Sequence, residues 1–430
     1  MTASVITGRL WRNDRFLRLW FGITVSSVGT YLSIFALPTI AITLLHAQPY
    51  QIGILGAAEF IAAPFVGFLA GGFVDRHPTR LISVIADFAR VATLASIPIA
   101  FATHNLTLWQ LYAVSGVNGG LSALFGAGIL RLYRVVVRRE DLVEASIKLS
   151  ASQAIGELGG PSLAGVLITR VGAPLAIVAD AVSYLVSGLM ILSLPGHNMS
   201  ATPRPFDGHA TWKTDATDGI RFIRSRPMLW RLLVATSILN FTFQMTMANW
   251  LVFAYGRLGQ TPETVGLLTG LGELGAFLGI VLALPLARGI GTGWMLIIAT
   301  LIGTLARCLI PLTLLGNPRM VIFASMFATG LSTTFLILTS SSLWQSLTPI
   351  ELLGRVSAAR YAVLTASIAL GLLIGGALGS AIGVLPVLII GAALTPLSAL
   401  VWFGVPLRKV YEPMADDFVD LTPASGPTEM

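Results

Sequence analysis

The stretch that decides the reading is Gly71-Gly72-Phe73-Val74-Asp75-Arg76-His77-Pro78-Thr79-Arg80. It is a short charged turn set between two long apolar runs. Upstream, from Ile52 to Phe73, the only charge is Glu59; downstream the chain turns apolar again at Leu81. A helix rises about 1.5 Å per residue, so the ~30 Å hydrocarbon core of a bilayer takes about 20 apolar residues. Both runs have that length. Asp75, Arg76 and Arg80 therefore sit at a membrane surface, in the turn of a helical hairpin.

Composition extends this to the whole chain. Charged residues make up 11% and hydrophobic residues 55% of 430 positions. A soluble domain carries about 25% charged residues, so lipid must serve as solvent for much of this surface. Apolar segments recur at about 17–45, 52–73, 81–102, 108–133, 149–169 and 174–194. Six more follow at about 228–256, 264–287, 294–315, 321–346, 357–382 and 387–407. The expected fold is an all-α integral membrane protein of 12 transmembrane helices in two six-helix bundles. The expected organisation is a first bundle over 1–194, a cytoplasmic linker with an interfacial helix over 195–226, a second bundle over 227–409 and a disordered cytoplasmic tail over 410–430.

The net charge of +7 could suggest a polyanionic partner, but its distribution argues for topology. With both termini placed in the cytoplasm, only Arg170, Arg257 and Arg319 fall outside, and Arg90 and Arg307 fall within spans. The remaining Lys and Arg lie on the cytoplasmic side, as the positive-inside rule requires. No nucleic-acid partner is expected. The single Cys308 excludes an internal disulfide, and the five histidines show no metal-ligand spacing.

The two halves echo one another. Gln51-Ile-Gly-Ile-Leu-Gly56 matches Thr264-Val-Gly-Leu-Leu-Thr269, and Ala86-Asp87-Phe-Ala-Arg90 matches Gly303-Thr304-Leu-Ala-Arg307. Charges inside spans cost about 2.5–3.5 kcal/mol each near the bilayer centre on insertion scales, so their presence calls for a role. Glu59, Asp87, Glu157, Asp180 and Glu273 are such acids. Asp87 and Arg90 are three apart on one helical face and are expected to form a structural ion pair.

The loop pattern, Gly71 with Asp75, Arg76 and Arg80, resembles the loop between helices two and three of the major facilitator superfamily of secondary transporters. Pro78 and Thr79 depart from the family's form. Thr348-Pro349-Ile-Glu351-Leu-Leu-Gly354-Arg355 is similar to its PxExxGR turn. Gly156-Glu-Leu-Gly-Gly160-Pro161-Ser-Leu-Ala164-Gly165 resembles its exporter signature in the fifth helix. Asp87-x-x-Arg90, Asp180-Ala-x-Ser-Tyr184 and Asp218-Gly-Ile-Arg-Phe-Ile-Arg224 suggest the macrolide-efflux and enterobactin-exporter-like branch.

The resemblance implies a cytoplasmic gate at Gly71, Asp75, Arg76, Arg80, Glu351 and Arg355, and a bend in helix five at Gly156, Gly160, Pro161 and Gly165. It also implies that helices five and eight line the cavity from opposite halves. Glu157 and Glu273, withdrawn there from water, are then suited to proton or substrate coupling, with Glu59 and Asp180 as further candidates. Tyr31, Phe35, Asn240, Phe243, Gln244, Thr333 and Thr334 are candidate cavity residues, although packing and interhelical hydrogen bonds explain any one of them as well. The arginine common in helix four of proton-coupled exporters would fall near Ser115 and is absent.

The function this implies is export of amphipathic small molecules (drug, macrolide or siderophore-like) by proton antiport across the bacterial inner membrane. The chain is expected to act as a monomer, with no cofactor and with the proton gradient as energy source. An uptake symporter or lysolipid transporter on the same fold is the alternative, and a transport-inactive receptor or scaffold the alternative of another class. An enzyme is not expected, because no nucleophile stands beside a base.

Overall fold

The computed structural model describes residues 9–76, 78–194 and 212–401. The side chains at 67–76 lie outside that description, and with them Gly71, Asp75 and Arg76 of the gate motif; so do the linker at 195–211 and the tail at 410–430. Among the described residues the chain is helical. The helices are α1 (Asp14–Thr43), α2 (Pro49–Arg76), α3 (Thr79–Ala102), α4 (Leu108–Val136), α5 (Leu142–Val171), α6 (Ala173–Leu192) and α7 (Trp212–Ser225). They continue as α8 (Pro227–Val252), α9 (Pro262–Gly272), α10 (Leu274–Ile290), α11 (Thr292–Leu312), α12 (Pro318–Ser346), α13 (Leu353–Ile382), α14 (Val384–Leu394) and α15 (Leu397–Leu400).

As far as residue 401, where the described residues end, the twelve apolar segments read from the sequence fall on helix in this order. Among the described residues nine spans are long and apolar enough to cross a membrane by length and composition, with α9 and α10 together forming one of them. Three segments differ from the simple reading. The fifth helix begins at Leu142, two turns before its apolar run, because Lys148 is neutralised by Glu144 at 2.9 Å and rests over the Trp11 ring at 3.7 Å. Its charged first turns are thereby covered. The eighth apolar segment is two helices, interrupted at Glu273. The last segment is interrupted around Pro396, which has no N–H to continue the ladder of α14.

Helices α1–α6 pack among themselves, and α8–α14 do the same. Short connections make neighbours antiparallel, so α7 and the start of α1 lie at one end and the α1–α2, α5–α6 and α13–α14 turns at the other. The two sets meet at that second end. Gly376 on α13 faces the backbone of Pro49, Tyr50 and Gly53 on α2; Gly266 on α9 faces Pro161 and Gly165 on α5. A Cβ at either glycine would run into backbone, which explains why small residues recur there. Polar contacts add to the closure. Thr39 and Tyr255 share a hydrogen bond at 3.0 Å, and the Tyr50 N–H donates to Ser380 Oγ at 3.0 Å.

Helix α7 is amphipathic and lies against α8 and α13. Ile223 is buried, Gly219 touches the backbone of Arg355, and Arg355 Nη1 lies 3.7 Å from Asp218 Oδ2.

Candidate functional site: a carboxylate pair between two helix sets

The close approach of α5 and α9 sets up the site. From the closed end inward, Gly165 meets Pro262 and Glu263, Pro161 meets Gly266, and Leu158 and Ser162 meet Gly270. One residue past Leu158 towards the α7 end stands Glu157; three past Gly270 stands Glu273. The two carboxylates come from opposite sets, are half-buried, and lie close enough for Glu157 to act electrostatically on Glu273. They sit where the small-residue contact between α5 and α9 ends.

Glu157 is held from its own set. Tyr31 Oη on α1 donates to Glu157 Oε1 at 2.6 Å, and Gln153 Nε2, one turn earlier on α5, lies 3.4 Å from the same oxygen. Gly156 and Gly160 leave room for this: a Cβ on either would strike Tyr31 and the α1 backbone beside it. Helix α5 is continuous through Pro161. The glycines of the fifth-helix motif thus bring Tyr31 onto Glu157, while Pro161 and Gly165 receive α9.

Glu273 lies at the junction of α9 and α10, where its own carbonyl accepts from the Ala276 and Phe277 N–H groups at 2.9 and 3.1 Å. Gly272 packs on Met326 and Gly275 on Phe327 of α12. The junction is therefore clamped on one face and presents Glu273 on another.

The remaining charged candidates gather elsewhere, in the core of the first set. Arg90 Nη1 lies 3.5 Å from Asp87 Oδ1, and its guanidinium stacks over Tyr184 at 4.7 Å and Phe125 at 5.1 Å. It is within electrostatic reach of Glu59 and Asp180 as well. Asp180 is 1% exposed; it accepts from Ser33 and Ser183. Glu59 and Asp180 line one cavity of about 30 Å³ with Ser115, Asn118 and Tyr184. A cavity of that size, with these polar groups along its wall, has room for a water molecule. Ser115 stands where the helix-four arginine was expected, and its hydroxyl donates to the Leu55 carbonyl at 2.8 Å.

The cavity candidates divide in the same way. Tyr31 reaches the carboxylate pair. Phe35 is buried in an apolar cluster with Leu32, Ile40 and Phe253. Thr334 packs towards Gly279 on α10, and Thr333 is exposed. Asn240 Nδ2 donates to the Thr236 carbonyl at 2.8 Å, Gln244 lies against Gly371, and Phe243 faces Arg307. Of the gate residues with described side chains, Arg80 donates to the Ile191 carbonyl at 3.2 Å at the end of α6, Arg355 meets Asp218, and Glu351 is exposed. Gln153 was missed by sequence reasoning; its place four residues before Glu157, one helical turn away, was the available signal.

Two packed sets of apolar helices touch at one end, with a carboxylate from each beside the contact. The model of the Major Facilitator Superfamily matches residues 19–259, more than half of the chain. The chain belongs to that family. It is 24% identical over 409 residues to YfiS of Bacillus subtilis, described as an uncharacterized MFS-type transporter, covering 94% of this chain and 95% of the relative. It is 24% identical over 345 residues to the enterobactin exporter EntS of Shigella flexneri, covering 79% of each. Among solved structures, a mutant of the nucleoside transporter NupG superposes with a TM-score of 0.72 at 14% identity, over 93% of this chain and all of that one. A bacterial homologue of the iron transporter ferroportin, in an inward-facing state, gives 0.71 at 14% identity over 90% of this chain and 97% of its own. These likenesses concern the fold. The chain is accordingly a multi-pass membrane transport protein for a small-molecule substrate, and members of this family need no cofactor.

Proposed function

We propose that this protein exports amphipathic small molecules across the bacterial inner membrane in exchange for protons, by alternating access of two six-helix halves, 1–194 and 227–409, with both termini cytoplasmic. The observation that carries the reading is the placing of Glu157 and Glu273, one from each half, within a turn of the Leu158–Gly270 contact where α5 and α9 part. Two ionised carboxylates at such a place repel, while a proton on either removes the repulsion. Protonation then favours the closed contact of α5 and α9, and proton release favours their separation. Tyr31 and Gln153 hold Glu157 in position, so the charge state is coupled to α1 as well.

With the α7 end facing the cytoplasm, the closed end faces out. Protons bound from outside would stabilise the closed form described here, and their release to the cytoplasm would accompany substrate loading. That order gives exchange of substrate for protons. Export, rather than uptake, is also what the named function of the EntS relative favours. The protein is taken to work as a monomer, since each of these parts lies in one chain. Asp75 and Arg76, beyond the described side chains, are proposed to bias which face is open and to touch neither proton nor substrate.

The test is transport of a dye or macrolide in proteoliposomes under an imposed pH gradient. Efflux should collapse with the gradient and should lose its pH dependence in Glu157→Gln and Glu273→Gln. Transport that is indifferent to both substitutions would remove the coupling assignment.

A further inference from the structure

The internal repeat places a second buried arginine in the second half, and its surroundings differ from those of the first. Arg307 occupies on α11 the position of Arg90 on α3, and it is 8% exposed. The three acids around Arg90 have lost their counterparts. Asp87, three residues before Arg90, corresponds to Thr304. Asp180, eight residues after the positive-φ Gly172, corresponds to Gly391, eight after the positive-φ Gly383. Glu59, ten residues after Pro49 at the start of α2, corresponds to Gly272, ten after Pro262 at the start of α9. The acid at this depth is instead Glu273, one residue on. One residue turns a side chain by about 100° on a helix, which directs Glu273 towards α5.

Arg307 is thus a buried cation without an acid. Among the described residues no carboxylate lies within ion-pair distance of it, and its Nε has no hydrogen-bond partner. Its polar contact is Nη1 to the Gly303 carbonyl at 3.0 Å, with the guanidinium 5.5 Å from the centre of the Phe243 ring. Phe243 is itself half-buried on α8. Gly303 lets the Ser332 hydroxyl and Arg307 Nη1 both come close to its backbone, since a Cβ there would meet the two of them. A guanidinium withdrawn from water with no acid beside it is unfavourable, and a planar cation with an unpartnered Nε next to an aromatic face fits one class of ligand.

We propose that Arg307 and Phe243 form a binding site for an aromatic organic anion, with the ligand's carboxylate or similar acidic group on the guanidinium and its ring along Phe243. The site rests on the transport reading only in taking the ligand to be cargo; binding is measured without transport, so the two can fail separately. The probe is salicylate, with neutral salicylamide and inorganic phosphate as controls, added to the purified full-length protein in detergent while thermal unfolding is followed. Salicylate should raise the midpoint by about 2 °C or more by mass action, and the two controls should not. The shift should vanish in Arg307→Gln and shrink in Arg307→Lys. Thr304→Asp installs the carboxylate that Asp87 supplies to Arg90, so it should abolish the salicylate shift in a protein that folds at least as well. Equal stabilisation by salicylamide or phosphate, or a salicylate shift that survives Thr304→Asp or Arg307→Gln, overturns the proposal.

Discussion

The cores of the two halves contain the same residue in the same place and treat it in opposite ways. Around Arg90 the first half assembles Asp87, Glu59 and Asp180, together with hydroxyls from Ser33 and Ser183 and a cavity with room for water. Around Arg307 the second half offers a backbone carbonyl, an aromatic ring and no acid among the described residues. At matching positions the two halves thus share their cations and differ in their carboxylates. The first half gathers three acids around its arginine and also presents Glu157 to the partner half. The second presents Glu273 to the partner half and leaves its arginine without an acid among the described residues. The two halves therefore share the proton-responding site, and they differ in how they surround the buried cation.

The largest expected contrast is in stability. Arg90→Met removes the cation from beside three acids and should destabilise the protein by about 3–5 kcal/mol, because uncompensated charge is left in the core. Arg307→Met leaves no acid behind and should be neutral or stabilising by about 1–2 kcal/mol. Thermal unfolding of the two purified variants measures both; equal losses would break the comparison.

Closure between the halves comes next. Gly266→Leu places a side chain against the backbone of Pro161 and Gly165, and Gly376→Leu against Pro49 and Gly53. Each should hold the closed end apart and lower transport by at least about tenfold, a barrier change of about 1.4 kcal/mol. Labelling of a cysteine at Ser380 should rise in parallel, and unchanged labelling would show that these glycines do not seal the end.

Tyr31→Phe has a smaller reach. It deletes one donor to Glu157 at 2.6 Å, an interaction with a charge worth about 1.5–3 kcal/mol. Transport should slow by about tenfold with substrate affinity unchanged. A fall in affinity at constant rate would instead place the hydroxyl on the substrate. The smallest effect belongs to Asp218→Asn, which removes the exposed contact to Arg355 between α7 and α13. Exposed pairs contribute below about 1 kcal/mol, so the unfolding midpoint should move by no more than about 1 °C.

Much of this was legible in the sequence for a simple reason. Spans must be apolar for about 20 residues, so hydropathy locates the apolar segments and their order. Charges inside spans are costly, so the sequence also marks Glu59, Asp87, Arg90, Glu157, Asp180, Glu273 and Arg307 as residues needing partners. Partnership is what it hides. Nothing in a list of acids says that Glu157 and Glu273 meet across the halves while Glu59 and Asp180 share a cavity within one. The Asp180 environment depends on Gly29, whose missing side chain lets Ser183 and Asp180 reach α1. The start of α5 at Leu142 was hidden because Lys148 and Glu144 look like loop residues until they neutralise each other. The interruption at Glu273 was invisible because glycine on either side is ordinary in a membrane helix. The isolation of Arg307 was readable in principle, since Thr304 stands where its repeat has Asp87, but only a three-dimensional partner list turns a missing acid into an open site.

The central claim is that the Glu157–Glu273 pair links proton binding to the opening and closing of the two halves. Proton flux measured together with substrate efflux, in proteoliposomes holding wild type, Glu157→Gln, Glu273→Gln or the double variant, tests it most directly. The account predicts that wild type exchanges protons for substrate, that either single substitution uncouples the two fluxes, and that the double variant carries substrate downhill with no proton movement. Proton-coupled efflux at the wild-type ratio in the double variant would contradict it.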